Sequence, residues 1–262
     1  FVSIMKKHKF HMISGVNTLY EALLNYDAFK ELDFSNLLMS LSGGMAALDT
    51  TAKRWAEVTK SVIWQAYGLT ETSPLVSVND YKQTEFTGSV GLPAAYTEIE
   101  IRDESGNALS ETNAVGELCV RGPQVMSGYW KSEVSGLDEN NWFMTGDIAR
   151  IDETGNIFIV DRKKDMIIVS GFNVFPNEVE AVVNEHPAVL ECGCVGVEGE
   201  NSQELVKVFI VLHDEQTATE DEIISFCREK LTAYKVPKHI EFIKEIPKTN
   251  VGKVLRRELK EN

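Results

Sequence analysis

Residues 142–165 read WFMTGDIARIDETGNIFIVDRKKD, and their patterning decides what this part of the chain is. Two apolar-rich runs, Ile148–Ile151 and Ile157–Val160, flank the five turn-forming residues Asp152, Glu153, Thr154, Gly155 and Asn156. That pattern predicts an antiparallel hairpin. A hairpin brings Asp147 near Arg162 across the fifteen positions that separate them. A carboxylate that only accepts, beside a guanidinium that only donates, suits the two neighbouring hydroxyls of a ribose. A surface salt bridge beside an ordinary hairpin uses the same residues, and this stretch alone does not choose between the two.

On its N-terminal side the same period-two alternation occupies Thr97–Asp103 (TEIEIRD) and Gly116–Gly122 (GELCVRG). The turn DESGN at 103–107 recurs as DETGN at 152–156, so two hairpins share one turn chemistry. Residues 96–163 are therefore expected to form a small antiparallel, barrel-like β subdomain. Further upstream, residues 1–95 read as the end of a parallel α/β sheet domain. Leu37–Leu41 is a short strand ending in Ser42-Gly43-Gly44, Leu48–Thr59 a helix, and Val62–Ala66 a second strand ending in Tyr67-Gly68. Ligands of parallel sheets sit at the carboxyl ends of strands, where both glycine turns fall. Downstream, residues 164–262 alternate helix and strand as a separate α+β domain. A helix opens at Phe175-Pro176-Asn177, and Thr219-Glu220-Asp221-Glu222 is a capping box starting another. Strands are expected near 189–197, 205–213 and 239–243.

Composition sets outer limits. With 262 residues, 43% hydrophobic and 25% charged, the chain is of ordinary globular type. The net charge of −14 argues against a nucleic-acid partner. Arg228–Lys260 nevertheless carries ten Lys or Arg against four Glu, a basic patch that suits a small polyanion or is simply a solvated face. Cys119, Cys192, Cys194 and Cys227 lack metal-ligand spacing and are expected to be reduced thiols, as in the cytosol. No apolar run reaches the roughly 20 residues that cross a bilayer.

Single motifs remain ambiguous. In Tyr67-Gly68-Leu69-Thr70-Glu71 the ring can stack on a purine, the Thr hydroxyl can bond a phosphate, and Glu71 suits Mg²⁺. A helix start with Thr as cap explains the same string. Ser42-Gly43-Gly44-Met45-Ala46 offers close backbone approach to a flat ligand, or a plain turn. Pro247-Lys248-Thr249-Asn250-Val251-Gly252-Lys253 puts a lysine on a glycine-bearing loop.

The ordered set is more specific than its parts. YGLTE, TGD, DRKKD, SGFNVFPNEVE (170–180) and PKTNVGKVLRR (247–257), in this order, resemble the adenylate-forming superfamily of acyl-CoA synthetases, luciferases and adenylation domains. The resemblance spans about 37–257. The stretch around TGD is similar to the signature of fatty-acyl-CoA synthetases, and GPQVMSGYW (122–130) to bacterial long-chain fatty-acid–CoA ligases. Asn141 stands where that signature usually has Gly, and Met144 where His is common.

The resemblance implies a two-step reaction. A fatty carboxylate attacks the α-phosphate of Mg·ATP, and coenzyme A then displaces AMP. It assigns adenine to Gly43, Gly44 and Tyr67, counts Met45 and Gly68 among the cofactor-binding residues, and gives ribose to Asp147 and Arg162. Thr70 takes the α-phosphate and Glu71 the magnesium, while Lys253 is the catalytic lysine. Lys164 becomes a hinge about which the C-terminal domain rotates, bringing Ser170, Gly171 and Phe172 to coenzyme A. The family's upstream phosphate loop has no counterpart here, so the chain is expected to be the C-terminal portion of a synthetase, inactive alone. Alternatives are an adenylation domain loading a carrier-protein thiol, and a non-catalytic nucleotide-binding fragment. A homodimer and peripheral contact with the inner face of the membrane complete the expectations.

Overall fold

Three parallel strands, β1 (Met12–Gly15), β2 (Met39–Gly43) and β3 (Ile63–Gly68), form the start of a five-stranded sheet in sequence order. β4 (Leu75–Val78) and β5 (Leu92–Pro93) continue it antiparallel. A computed structural model describes residues 1–132, 135–199, 203–249 and 252–261. The chain divides into two compact units, Phe1–Ile159 and Val160–Asn262.

In the first unit, helices α1 (Val2–Met5), α2 (Asn17–Leu24), α3 (Asp27–Lys30) and α4 (Asp49–Thr59) accompany the sheet. Tyr20 and Trp55 meet edge to face at 4.6 Å, and Phe29 stacks on Trp55 at 5.2 Å. Ile13, Leu24 and Ile63 close this core. Strand β2 begins and ends two residues later than the apolar run 37–41 predicts. Leu37 packs into the core, and Leu38 is 75% exposed although Ser40 and Ser42, at the same phase of the alternation, are buried, so the strand pattern starts only after Leu38. Register comes instead from β1, whose Met12–Gly15 pair with Met39–Ser42, and this carries the strand into Ser42-Gly43.

β6 (Glu98–Arg102), β7 (Gly116–Arg121), β8 (Phe143–Ile151) and β9 (Ile157–Arg162) form an antiparallel sheet in that order. It is an open sheet. The expectation of a barrel-like subdomain is corrected here, because β6 and β9 lie at opposite edges and four strands do not close. The repeated turns are built alike. Asp103 Oδ1 accepts the amides of Ser105 and Asn107, and Asp152 Oδ1 those of Thr154 and Asn156. Gly106 and Gly155 take φ of +83° and +84°.

The second unit has a hairpin, β10 (Ile167–Val169) and β11 (Phe172–Val174), and a three-stranded sheet. In that sheet β12 (Val189–Glu198) pairs antiparallel with β13 (Glu204–Leu212), which pairs parallel with β14 (His239–Phe242). Helices α5 (Pro176–Val183), α6 (Glu220–Lys230) and α7 (Arg256–Lys260) complete it. Pro176 opens α5, and the expected box caps α6, with Thr219 and Glu222 bonding each other's amides. The core joins Ile167, Val179, Val208 and Ile223, among others. All four cysteines are buried and free. Among the described residues no helix is long and apolar enough to cross a membrane.

Candidate active site

β2 and β3 lie side by side, and Gly43 pairs with Ala66, so the SGG and YG turns leave the sheet together. Two buried side chains shape the loop beyond Gly44. Gln65 Oε1 accepts the Ala47 amide at 2.8 Å, and Asn17 Oδ1 the Leu48 amide at 2.9 Å. Gln65 is itself held, its Nε2 donating to the Ser89 carbonyl at 3.0 Å. Gly44 takes φ of +81°, a left-handed conformation that glycine adopts freely.

At Gly68 the backbone leaves no room for a side chain. A Cβ there would lie 1.7 Å from the Pro74 carbonyl oxygen. The returning chain 72–75 is pressed against the strand end. Thr70, Glu71 and Thr72 form a single 3-10 turn, so the strand runs into a tight turn and not into the helix start weighed above. The hydroxyl that ties this turn is that of Thr72. It donates within reach of the Leu69 and Pro74 carbonyls and accepts the Leu69 amide at 3.0 Å. Thr70 is left exposed at the head of the turn. Glu71 Oε1 accepts the Tyr129 hydroxyl at 3.0 Å, and its backbone carbonyl accepts the Met126 amide at 2.8 Å. The Glu71 contact raises the Tyr129 phenol above its ordinary range.

Asp147 arrives from the second sheet through a bulge. Between Glu117 and Cys119 of β7 the partner register on β8 jumps from Ile148 to Met144, so Thr145-Gly146-Asp147 stand opposite the single residue Leu118 and β8 bulges by two residues. Gly146 takes φ of +71°, and its amide donates to Glu117 Oε1 at 3.1 Å. The bulge turns Asp147 inward until it is 2% exposed. There Asp147 Oδ2 accepts the Tyr67 hydroxyl at 2.5 Å, the usual length for a hydroxyl on a carboxylate. One unit thus gathers Gly43–Met45, Tyr67–Glu71 and Asp147. Residue-by-residue reading missed Gln65, Tyr129 and the Tyr67–Asp147 bond. Gln65 had one signal, a lone amide inside the otherwise apolar run VIWQAYG.

A single carboxylate at Glu71 fits Mg²⁺, which commonly takes one or two protein carboxylates and completes its shell with phosphates and water. Among the described residues no group of three or more His, Cys, Asp or Glu forms a metal cage.

Arg162, Lys164, Ser170–Phe172 and Lys253 belong to the second unit. Arg162 ends β9, and its amide donates to Asp161 Oδ1 at 2.7 Å. Lys164 is exposed in the 3-10 turn Lys163–Asp165. Ser170 and Gly171 are the two-residue tip joining β10 to β11, both with positive φ (51° and 83°). Phe172, half exposed, stacks on Tyr234 at 4.8 Å. The lysine loop is closed by a bridge between Lys248 and Val254. Inside it the Thr249 amide donates to the Lys253 carbonyl at 2.8 Å, and the Lys253 amide to Thr249 Oγ1 at 3.1 Å. Asn250 and Val251 of this loop lie outside the described residues.

The sequence profile of AMP-binding enzymes matches residues 1–130, and that of the AMP-binding enzyme C-terminal domain matches 178–253. A long-chain-fatty-acid–CoA ligase of Escherichia coli O157:H7 is 51% identical over 99% of this chain and 46% of its own length. One from Haemophilus influenzae is 47% identical, over 100% and 46%. The solved structure of ATP-bound MatB from Rhodopseudomonas palustris superposes with a TM-score of 0.90 at 28% identity, covering 99% of this chain and 52% of that one. The chain spans about half the length of the curated relatives it matches. Two profiles in the family's own order, and relatives near half identity along the whole chain, place it among the AMP-binding enzymes of the adenylate-forming superfamily.

Proposed function

We propose that this chain forms part of a ligase that activates a long-chain fatty acid. The carboxylate oxygen attacks the α-phosphate of ATP and pyrophosphate leaves. The sulfur of coenzyme A then attacks the acyl carbonyl and AMP leaves. The observation that carries the reading is the gathering of Gly43–Met45, Tyr67–Glu71 and Asp147 at the carboxyl ends of β2 and β3, with Tyr67 bonded to Asp147. The ligase identity of the relatives points to the same chemistry.

Each residue has a role that its surroundings support. Gly43, Gly44 and Met45, on a loop held by Gln65 and Asn17, form one side of an adenine slot. Tyr67 and Gly68 form the other, Tyr67 fixed by its bond to Asp147. Asp147 and Arg162 take the ribose hydroxyls. Exposed Thr70 donates to the α-phosphate. Glu71, steadied by Tyr129, holds Mg²⁺, whose charge offsets that of the phosphates. Lys253 is assigned to the substrate carboxylate and the α-phosphate, where negative charge develops. Lys164 is assigned as hinge, and Ser170, Gly171 and Phe172 to coenzyme A. The corresponding domains are 1–95, 96–163 and 164–262. Peripheral attachment at the inner membrane face, with the protein otherwise in the cytoplasm, belongs to the same reading, as does a homodimer.

The test uses the full-length protein with ATP, Mg²⁺, coenzyme A and saturated fatty acids of graded length. AMP, pyrophosphate and acyl-CoA are expected in equal amounts, with long chains preferred. Nucleotide cleavage to ADP, or AMP release independent of fatty acid, refutes the reading.

A further inference from the structure

Among the described residues of the second unit, Arg256 stands at the centre of a cluster of three carboxylates. Its Nη2 donates to Glu180 at 2.8 and 2.9 Å and to Asn177 Oδ1 at 2.6 Å, and its Nε reaches Glu180 Oε1 at 3.2 Å. Nη1 lies 3.4 Å from Asp165 Oδ2 and 3.8 Å from Asp161 Oδ1. The acceptors are themselves fixed. Asp161, 1% exposed, also takes the amides of Arg162 and Asn177 at 2.7 Å each, and Glu180 takes that of Cys194 at 2.8 Å. Burial pushes the carboxyls of Asp161 and Glu180 up, and Arg256 draws them back. Three carboxylates around one guanidinium exceed what charge balance requires, so the arrangement asks for a geometric reason.

Position along the chain supplies that reason. Asp161 precedes Lys164 by three residues and Asp165 follows it directly. Arg256 follows Lys253 by three, just beyond Leu255, whose amide closes the loop on the Pro247 carbonyl at 2.8 Å. One side chain therefore touches both flanks of the Lys164 turn while standing at the foot of the lysine loop. We propose that Arg256 is a positioning residue that ties the Lys253 loop to the Lys164 turn and so fixes where the loop stands. This rests on the reading of Lys253 and Lys164 as catalytic lysine and hinge. The planar fork matters because it meets Glu180, Asn177 and Asp165 at once, which the single ammonium of a lysine does not.

Arg256→Lys in the full-length protein keeps the charge and removes the fork. Amide exchange at Thr249, Gly252 and Lys253 should accelerate about tenfold or more, the scale of one lost charge-assisted bond, while Val206–Ile210 in β13 keep their protection. Adenylate formation should fall by a similar factor, and conversion of supplied acyl-adenylate to thioester should change by less than about threefold. Asp165→Asn, which weakens only the hinge-side contact, should give the same split in smaller measure, and it decides the matter should Arg256→Lys fail to fold. Unchanged exchange at the three amides, protection lost evenly through the second unit, or an equal fall in both half-reactions overturns the proposal. A wild-type protein that forms no acyl-adenylate refutes the proposed function instead, and the exchange measurement still decides whether Arg256 ties loop to turn.

Discussion

Tyr67→Phe removes one oxygen atom from the candidate site and leaves the ring in place. Its partner Asp147 is 2% exposed, so bulk water does not replace the lost donor at Oδ2. A hydrogen bond to a charged group contributes about 1.5–3 kcal/mol, and a loss of about 2 kcal/mol is expected here. The first unit, Phe1–Ile159, is of a size for which 1 kcal/mol moves the midpoint by about 2–4 °C. Thermal unfolding of the chain should therefore show the first unit melting about 4–8 °C lower, with the second unit unmoved. Asp147→Asn in the Tyr67→Phe background isolates the pair. The double mutant should be less destabilised than the sum of the singles by about 1 kcal/mol or more. A coupling within ~0.3 kcal/mol of zero would refute the claim that the hydroxyl holds the carboxylate.

Other expectations concern neighbouring positions. Gly68→Ala should cost the first unit about 3 kcal/mol, the upper range for overpacking, because its Cβ meets the rigid Pro74 carbonyl; denaturant midpoints measure it, and a cost below ~1 kcal/mol contradicts the close approach. In the full-length protein Lys253→Ala should slow adenylate formation about a hundredfold yet spare thioester formation from supplied acyl-adenylate; equal loss of both argues against its assigned role. Gly171→Leu should leave ATP–pyrophosphate exchange nearly intact while thioester production collapses, with Gly171→Asn as the control that tolerates positive φ; equal effects in both half-reactions withdraw the coenzyme A assignment. Burial raises the Cys119 and Cys227 thiols from 9.0 to about 11, so the folded chain holds protons that the unfolded chain releases. That stabilisation is intact below pH 9.0 and is lost as pH climbs toward about 11, which unfolding midpoints across the window should show. At about pH 8 a water-soluble alkylating reagent should label none of the four native thiols and all four after denaturation.

Local chemistry was legible where a residue type dictates one conformation. The paired DESGN and DETGN turns, the Thr219 box and Pro176 at a helix start all follow from side chains bonding their own backbone. Features that depend on a distant strand were hidden. The two-residue displacement of β2 comes from its pairing with β1, and the inward turn of Asp147 from a bulge against β7. Gly68 reads as a turn glycine, yet its need for a bare Cα comes from Pro74 folding back on it. That Ser170-Gly171 joins two paired strands, with both residues at positive φ, depends on β11 folding back on β10. The Glu71–Tyr129 contact joins segments 58 residues apart, and no local pattern encodes such a pairing.

Four tryptophans sit in very different surroundings, and this gives the protein an optical property. Trp55 is fully buried, with its indole N–H on Ser40 Oγ at 2.9 Å. The guanidinium groups of Arg121 and Arg102 lie over the Trp142 ring, at 4.6 and 5.2 Å from its centre. Trp64 is half-buried in β3. Trp130 alone of the four stands in solvent, 89% exposed. A dissolved quencher should therefore extinguish the long-wavelength part of the emission first, and the difference spectrum belongs to Trp130. Its neighbour in the chain is Tyr129, whose hydroxyl rests on Glu71. Any cation or phosphate that rearranges Glu71 disturbs the segment carrying Trp130. A change in its fluorescence on adding Mg²⁺ and nucleotide is the expected outcome, and it needs no attached label.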